Sequence, residues 1–431
     1  MTSRADLPAP AVGGAVAGLP DLTRLRRRTV AVLATAQVLG GLAAGAVVSV
    51  GSPLAYELSG QEAWSGVMTT ASTLGAAMAS LGLARLAVAR GRRRALSTGL
   101  ALAAAGAAGI VLATVLASFP LLVTGAVLIG VGSAVNLQSR FAATDLSTPA
   151  SRPRDLSLVV WASTVGAVVG PNLVGLDEWL SRISGLPSSA GVFVFAGVGM
   201  LAALVVVQVG LRPDPLDVAG RADGATGGRE QVPVRVAAAT LRRHPPAAGA
   251  VVGVVTAHAV MVAVMAMTPL HMTGHGASSP LIGLTVSVHL AAMFALSPLM
   301  GMLASVAGPR RVLVAGLGVV VVGAAVCGAA GGAHALVTVG LTLVGAGWSA
   351  ATVAGSSILA GEVPGAERVA IQGLSDALML FAGAGGGLLA GVGLGLIGFA
   401  GIGVTSAAVA LGGAVAVLVV SRRRDTAARR V

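Results

Sequence analysis

The feature that most constrains this chain is a succession of apolar segments long enough to cross a membrane, separated by short loops that carry arginine. Of its 431 residues, 55% are hydrophobic and only 10% are charged, whereas soluble domains carry about 25% charged residues. A helix of about 20 apolar residues crosses a bilayer core, where the backbone must satisfy its own hydrogen bonds. We therefore expect an all-α polytopic membrane protein.

Composition argues against several other classes. The apolar segments are continuous and do not alternate with polar residues, which excludes a membrane barrel. The 62 glycines suit helices that pack closely in a bilayer. The net charge of +12 is spread over short loops, so we expect no nucleic-acid partner. The single cysteine, Cys327, permits neither a disulfide framework nor a CxxC site.

We predict twelve transmembrane helices, arranged as two pseudo-symmetric six-helix bundles. Their expected bounds are 29–52, 63–88, 95–117, 119–141, 155–176, 190–211, 246–271, 279–304, 310–331, 333–359, 368–392 and 395–420. The corresponding domains are an N-terminal tail (1–28), a first bundle (29–212), a linker (213–245), a second bundle (246–420) and a C-terminal tail (421–431). A short amphipathic helix is expected near 233–243 of the linker.

The arginines predict the orientation of the chain. They gather at both termini and in the even-numbered loops, while the opposite side carries only Arg182. The positive-inside rule therefore places both termini in the cytoplasm. The first 28 residues lack a signal-peptide cleavage pattern, so the first apolar segment should remain as a span of a bacterial plasma-membrane protein.

An internal repeat relates the two halves. Residues of the second half match residues of the first at one constant offset, namely Gly283 with Gly66, Gly308 with Gly91, Arg310 with Arg93 and Arg311 with Arg94. Parallel six-span repeats are typical of secondary transporters that bind substrate near the midplane, between the halves.

Two pairs of soft metal ligands lie inside apolar segments of the second half. Met261 and Met265 are four residues apart, as are His289 and Met293, so each pair shares one face of a helix. Thioether and imidazole groups together suit Cu(I). Because consecutive antiparallel spans are expected to be neighbours, the four side chains should converge near mid-depth.

Further candidate ligands flank these pairs. His258 lies one helical turn before Met261 and is a candidate additional ligand. At the outer end of the same span, His271, Met272 and His275 are candidates for an entrance to the metal site. In the first half, the repeat-related positions of His289 and Met293 hold small residues, so the fold itself does not require these ligands.

The motifs resemble those of the major facilitator superfamily. Its loop signature is similar to Gly91-Arg92-Arg93-Arg94 and to Gly308 with Arg310, and its antiporter motif is similar to Gly170-Pro171. The resemblance implies a secondary transporter that works by alternating access, with these residues serving conformational change. Val88 occupies the acidic position of the loop signature, so the family's salt bridge between the halves is not implied here.

Within that superfamily, the two ligand pairs resemble the CcoA-like copper transporters. The resemblance implies that copper is the transported substrate, that it moves inward, and that Met261, Met265, His289 and Met293 bind it. No resident cofactor is implied, and the expected partners are the substrate and the lipid bilayer, with the protein acting as a monomer.

Other interpretations of the same residues remain open. A methionine pair at helical spacing is commonly core packing. The alternative function is a proton-coupled exporter of drugs or metabolites, which Gly170-Pro171 favours, with Asp376 as the candidate coupling carboxylate. Enzymatic activity is not expected, because no nucleophile, phosphate loop or general-base pair is evident.

Overall fold

A computed structural model describes residues 21–61, 64, 67–172, 180, 182–187, 190–222, 233–363 and 365–428. Its regular elements within these ranges are all α-helices. They are α1 (Leu22–Ser59), α2 (Val67–Val115), α3 (Phe119–Ala142), α4 (Arg152–Asn172), α5 (Ala190–Gly210), α6 (Pro215–Ala222), α7 (Val234–Arg243), α8 (Pro245–Gly274), α9 (Ser279–Phe294), α10 (Ser297–Ala307), α11 (Pro309–Ala329), α12 (His334–Glu362) and α13 (Gly365–Ala428). The all-α prediction is confirmed.

The predicted spans correspond to these helices with three differences. α2 contains two predicted spans joined across Gly91, and α13 contains two joined across Gly398. The predicted span 279–304 is instead divided into α9 and α10, where Pro298 at the start of α10 favours a new helix. Within the described residues, eight helical stretches are long and apolar enough to cross a membrane.

Local sequence explains where several helices begin. α1 begins before the predicted span because the carboxylate of Asp21 accepts hydrogen bonds from the backbone N–H groups of Thr23 and Arg24, at 2.9 and 3.2 Å, which caps the helix. Proline occupies the first or second position of α3, α8, α9, α10 and α11. The amide that proline lacks would have no partner within the helix at these positions.

The backbone supports the internal repeat at the loop signature. Gly91 has φ 87° and its repeat-related Gly308 has φ 89°, a region that side-chain-bearing residues seldom adopt. The chain therefore turns in the same way in both halves, between two successive spans. The arginines that follow each glycine are placed at the same end of the molecule.

The chain folds into two halves that meet face to face. Buried apolar residues of α1–α5 form the first-half core, and those of α7–α13 form most of the second. The halves touch where α2 packs on α13 and where α4 packs on α9, α10 and α12. Within the second half, α8 packs chiefly on α12 and α13 and only slightly on α9. The seventh and eighth spans, predicted to be neighbours, therefore do touch, but over a short stretch.

Small residues allow α2 and α3 to approach closely. A Cβ atom built on Gly75 would lie 2.0 Å from the carbonyl oxygen of Val127, and one on Gly130 would lie 2.0 Å from that of Ser72. Such close backbone approach is how transmembrane helices gain packing energy where lipid offers no hydrophobic drive.

We expect Gly75→Ala to destabilise the protein by about 1–3 kcal/mol, because overpacking a close contact carries that cost. The matched control is Gly82→Ala on the same helix, where nothing lies within 4 Å of the added methyl. That control should be neutral or gain up to about 1 kcal/mol from helix propensity. Thermal unfolding of both purified variants in detergent tests the difference, and equal melting temperatures would contradict it.

Candidate functional site

A cavity of about 290 Å³ lies between the two halves. Seven helices contribute to its wall, α1, α3 and α4 from the first half and α8, α9, α12 and α13 from the second. Its lining residues are Gln37, Gly41, Ser133, Asn136, Leu137, Arg140, Val160, Ser163, His258, Leu290, Met293, Phe294, Trp348, Thr352, Met379 and Leu380. The wall is therefore mostly apolar, with a few polar groups that converge from both halves.

The first half supplies amide and hydroxyl groups to this cavity. The Nε2 group of Gln37 donates to Ser163 Oγ at 3.0 Å and to the carbonyl oxygen of Asn136 at 3.4 Å. These bonds tie α1 to α4 and α3, and they fix the Gln37 side chain at the wall. The Gln37 and Asn136 side chains can both donate and accept, so they can orient a polar solute.

The second half supplies an aromatic wall. The indole Nε1–H of Trp348 donates to His258 Nδ1 at 3.0 Å, so the neutral imidazole carries its proton on Nε2. Phe294 meets Trp348 edge to face, with ring centroids 5.7 Å apart. Two aromatic rings held in fixed orientation offer an apolar face to a planar or apolar solute.

An ion pair between the halves lies at one end of the cavity. Arg140 of α3 donates to the carboxylate of Asp376 on α13, and both side chains are buried. Arg140 Nε and Asp376 Oδ2 are buried without a hydrogen-bond partner among the described residues. Arg140 therefore links α3 of the first half to α13 of the second.

Arg92 forms a second link between the halves. Its guanidinium is fully buried and donates to both carboxylate oxygens of Asp145, at 2.9 and 3.3 Å, and to Gln138 and Gln372 at 3.0 and 2.9 Å. Gln372 belongs to α13, so this network crosses between the halves without an acid at Val88. The guanidinium is satisfied in the way that a buried charge requires.

Two further contacts strengthen this end. Arg368 of the second half lies 4.0 Å from Asp145 of the first, and the Ser297 hydroxyl donates to the carbonyl oxygen of Ser157 at 3.0 Å. These contacts and the links of Arg92 and Arg140 lie on the arginine-rich side of the cavity. The halves are therefore held together at that end, and we call the contacts of Arg92, Arg140, Arg368 and Ser297 between the halves the clasp.

The predicted metal ligands are distributed over several environments. His258 and Met293 line the central cavity. Met261 and Met293 are buried in the same second-half core cluster, and Met265 packs against it. His289 is fully buried, its Nδ1–H donates to the carbonyl oxygen of Leu341 at 2.7 Å, and its Nε2 has no hydrogen-bond partner among the described residues. No group of three His, Cys, Asp or Glu residues suited to a metal is found in the described ranges.

The predicted entrance residues lie at the outer end of α8. The imidazoles of His271 and His275 have centroids 4.3 Å apart, and His271 stacks on Phe399. His271 Nε2–H donates to the carbonyl oxygen of Gly331, and His275 Nδ1–H donates to that of His271, both at 2.8 Å. Met272 is fully buried in the core. The two imidazoles thus share one partly exposed patch, and the thioether does not join them.

The residues predicted to serve conformational change lie in the loop between the second and third spans, in its repeat in the second half, and in the fifth span. Gly91 and Gly308 make the equivalent turns, and Arg92 forms the clasp described above. Arg93 is held by a bond from its backbone N–H to the Asp214 carboxylate at 2.8 Å. Arg310 follows Gly308 at the start of α11. The side-chain surroundings of Gly170 and Pro171 lie outside the described residues.

Several residues that build the site belong to no motif that predicts a role for them. Gln37, Asn136, Gln372 and Trp348 were noticeable only as polar or amphipathic groups inside apolar segments. That signal marks a residue as costly to bury, but it does not identify the helix that the side chain will meet. For the same reason, the sequence does not predict the hydrogen-bond partners of Arg92 and Arg140.

Comparison with known proteins agrees with this architecture. The sequence profile of the Major Facilitator Superfamily matches residues 33–278 and 250–431. The MFS-type transporter YdeG of Bacillus subtilis (strain 168) is 33% identical over 369 residues, which cover 85% of this chain and 85% of that protein. The riboflavin transporter RfnT of Brucella anthropi is 29% identical over 361 residues, covering 82% and 85% respectively.

Solved structures share the fold. The human organic anion transporter MFSD10 (TETRAN) superimposes with a TM-score of 0.71 at 17% identity, over 91% of this chain and 99% of that one. A bacterial homologue of the iron transporter ferroportin, in its outward-facing state, gives a TM-score of 0.69 at 16% identity, with coverages of 91% and 99%.

We expect the Arg140–Asp376 pair to be strongly coupled in a double-mutant cycle. Either single change, Arg140→Met or Asp376→Leu, strands a buried charge and should cost about 3–5 kcal/mol, whereas the double variant should cost far less than their sum. The unfolding free energy in mixed micelles measures each variant. The Arg26–Asp155 pair, which is partly exposed and lies within one half, is the matched control. A coupling energy no larger than that of the control would contradict the clasp.

Proposed function

The chain belongs to the major facilitator superfamily, and we propose that it carries a small organic solute through the central cavity by alternating access. It is a secondary transporter and not an enzyme. The observation that carries the proposal is the composition of the cavity wall, in which an apolar and aromatic surface faces amide, hydroxyl and guanidinium groups.

The cavity chemistry favours a solute with an apolar body and a hydrogen-bonding edge. Phe294 and Trp348 would contact the apolar body, while Gln37 and Asn136 would bond the polar edge. Cavities that bind small molecules commonly have this composition, a mostly hydrophobic wall with a few placed polar groups. The volume of about 290 Å³ is near the lower end of the range of about 300–1,000 Å³ for such sites.

Arg140 connects solute binding to the clasp. It lines the cavity and also pairs with Asp376 across the halves. A solute that accepts a hydrogen bond from the guanidinium would compete with Asp376 for it. Binding would then weaken one contact that holds the arginine-rich end closed, which is the differential interaction that a conformational shift requires.

Asp376 remains our proposed site of proton coupling. Protonation would neutralise its carboxylate and remove the charge attraction to Arg140. The same clasp would thereby respond to a proton and to a solute. This arrangement supports a carrier that couples solute transport to proton transport. The direction of transport would then depend on the proton and solute gradients.

A flavin is the first solute to test. The riboflavin transporter RfnT shares 29% identity over most of both chains. The flavin ring system is planar and carries carbonyl and imide groups along one edge, which suits an aromatic wall opposite amides and a guanidinium. The family and the cavity chemistry together therefore make riboflavin a concrete test substrate.

The orientation and assembly are also proposals. The arginine-rich end is proposed to face the cytoplasm, as the positive-inside rule predicts, in the plasma membrane of a bacterium. On this orientation the clasp closes the cytoplasmic side, and the domain limits predicted from sequence separate two halves that rock as units. A monomer contains the whole cavity.

We expect Trp348→Ala and Gln37→Ala each to reduce riboflavin transport by about tenfold, because losing a hydrogen bond or an aromatic contact costs about 1–1.5 kcal/mol. Uptake of labelled riboflavin into proteoliposomes measures the rate. Trp161→Ala is the matched control, since Trp161 is 44% exposed on the outside of α4 and does not line the cavity. Equal losses in Trp348→Ala and Trp161→Ala would contradict the assignment of the cavity.

Copper is a second candidate substrate, favoured by one observation. Because His289 donates through Nδ1, its neutral imidazole presents the Nε2 lone pair, and that atom has no partner among the described residues. Met293 lies one turn further along the same helix and lines the cavity with His258. Imidazole and thioether groups suit Cu(I). The relatives named above lend this candidate no support, so we rank it below the organic solute.

Replacing Met293 by leucine separates the two candidates, because the change conserves volume and should cost less than about 1.5 kcal/mol in packing but removes the thioether. If copper is the cargo, cellular copper accumulation should fall about tenfold or more, since a second-shell change alone costs that much in metal affinity. If a flavin is the cargo, its uptake should remain within about threefold. Accumulation of copper, zinc, nickel and manganese in cells with and without the protein gives the measurement, and Met302→Leu on the exposed surface is the control.

A further inference from the structure

A second large hollow lies at the arginine-rich end of the first half, away from the central cavity. Its volume is about 830 Å³, and it is lined by the Gly91 loop and by the start of the linker. The charged residues that line it are Arg90, Arg93, Arg94, Arg212, Arg221, Asp214 and Asp217. Five guanidinium groups thus face two carboxylates, and we call this hollow the basic cleft.

The fold holds the two walls of the basic cleft in place. Asp214 Oδ2 accepts from the backbone N–H of Arg93 at 2.8 Å, and its Oδ1 accepts from that of Leu216 at 3.0 Å. A Cβ atom on Gly91 would lie 2.4 Å from Asp214 Oδ2, so the glycine is required for this contact. The linker is therefore fastened directly to the loop.

The helix α6 forms the outer wall. Leu216 at its start is buried against Val88 and Ala95 of α2, while Arg221 near its end is exposed. The apolar side of α6 is therefore covered by α2, while Arg221 is left at the surface beside the arginines of the Gly91 loop.

The charge in the cleft is not explained by protein contacts alone. Asp214 directs both carboxylate oxygens to backbone N–H groups, and burial raises the pKa of this carboxyl above its usual value. Even with both carboxylates counted, the five arginines leave an excess of three positive charges in the cleft. Arg90, Arg94, Arg212 and Arg221 are exposed at the rim, where guanidinium groups can close on one anion.

We propose that the basic cleft binds the phosphate group of an anionic ligand, foremost the headgroup of an anionic phospholipid in the adjacent leaflet. Guanidinium groups bind phosphate oxygens in paired, charge-assisted hydrogen bonds. Basic pockets between transmembrane helices on the cytoplasmic side bind such headgroups. The proposal is independent of which solute the central cavity carries.

The internal repeat supplies a natural comparison. The equivalent hollow in the second half contains Arg310 and Arg311 with Glu362, and apolar side chains make up most of its remaining wall. The two hollows have the same turn and the same arginine pair. They differ in the three additional arginines that line the first-half cleft.

The test uses the full chain reconstituted into phosphatidylcholine bilayers that contain spin-labelled phosphatidylglycerol or spin-labelled phosphatidylcholine. Electron paramagnetic resonance gives the relative association constant of each lipid. We expect Arg93→Gln/Arg94→Gln to lower the preference for phosphatidylglycerol by up to about 25-fold, because each of the two basic residues at an anionic surface contributes about fivefold. The matched control, Arg310→Gln/Arg311→Gln, should lower it by less than about fivefold, because Glu362 lines the same hollow as that pair and no further arginine of the described residues does.

A second double variant and a competition with inorganic phosphate complete the test. Arg212→Gln/Arg221→Gln changes only exposed residues of the second wall and should also reduce the preference, which guards against misfolding of the loop variant. If millimolar inorganic phosphate displaces the labelled lipid, the cleft takes free phosphate as well as a headgroup. If it does not, a headgroup is the ligand. An unchanged preference in both first-half variants, or equal losses in those variants and the second-half control, would overturn the proposal.

Discussion

A guanidinium group buried in an apolar protein must find acceptors for its donors, and Arg92 meets this requirement with groups from both halves of the chain. Gln138 and Asp145 belong to the first half, and Gln372 belongs to the second. The charge cannot be left unsatisfied without a cost of several kcal/mol. Packing of α13 against α2 and α3 therefore supplies one of the hydrogen-bond acceptors that Arg92 needs. This requirement favours contact between the halves at the arginine-rich end.

The clasp and the cavity are adjacent layers of one interface. Arg140 belongs to both, because its guanidinium reaches Asp376 while its side chain also forms part of the cavity wall. In a transporter, binding of the solute must change the stability of the contacts that close one side of the cavity. A residue that belongs to both the cavity and those contacts links the two directly. The aromatic wall around Trp348 can then serve only to contact the solute.

Local rules predicted the parts of this structure that depend on neighbours in sequence. The all-helical fold, the turns at Gly91 and Gly308 and the short helix near 233–243 follow from apolar length, glycine and proline positions, and periodicity. The pairing of Arg140 with Asp376 was not predictable in this way, because it joins residues of different halves and depends on how the helices pack. The same limit applies to α8, whose main packing partners are α12 and α13 and not the helix that follows it in sequence.

The Trp348–His258 bond has a consequence for how selectivity can change over time. Both residues come from the second half, whereas Arg92 and Arg140 bond Asp145, Gln138, Gln372 and Asp376. A substitution of Trp348 therefore removes none of those hydrogen bonds. Chains with this architecture can therefore diverge in cargo by changing a few wall residues while the contacts that close the cavity stay unchanged.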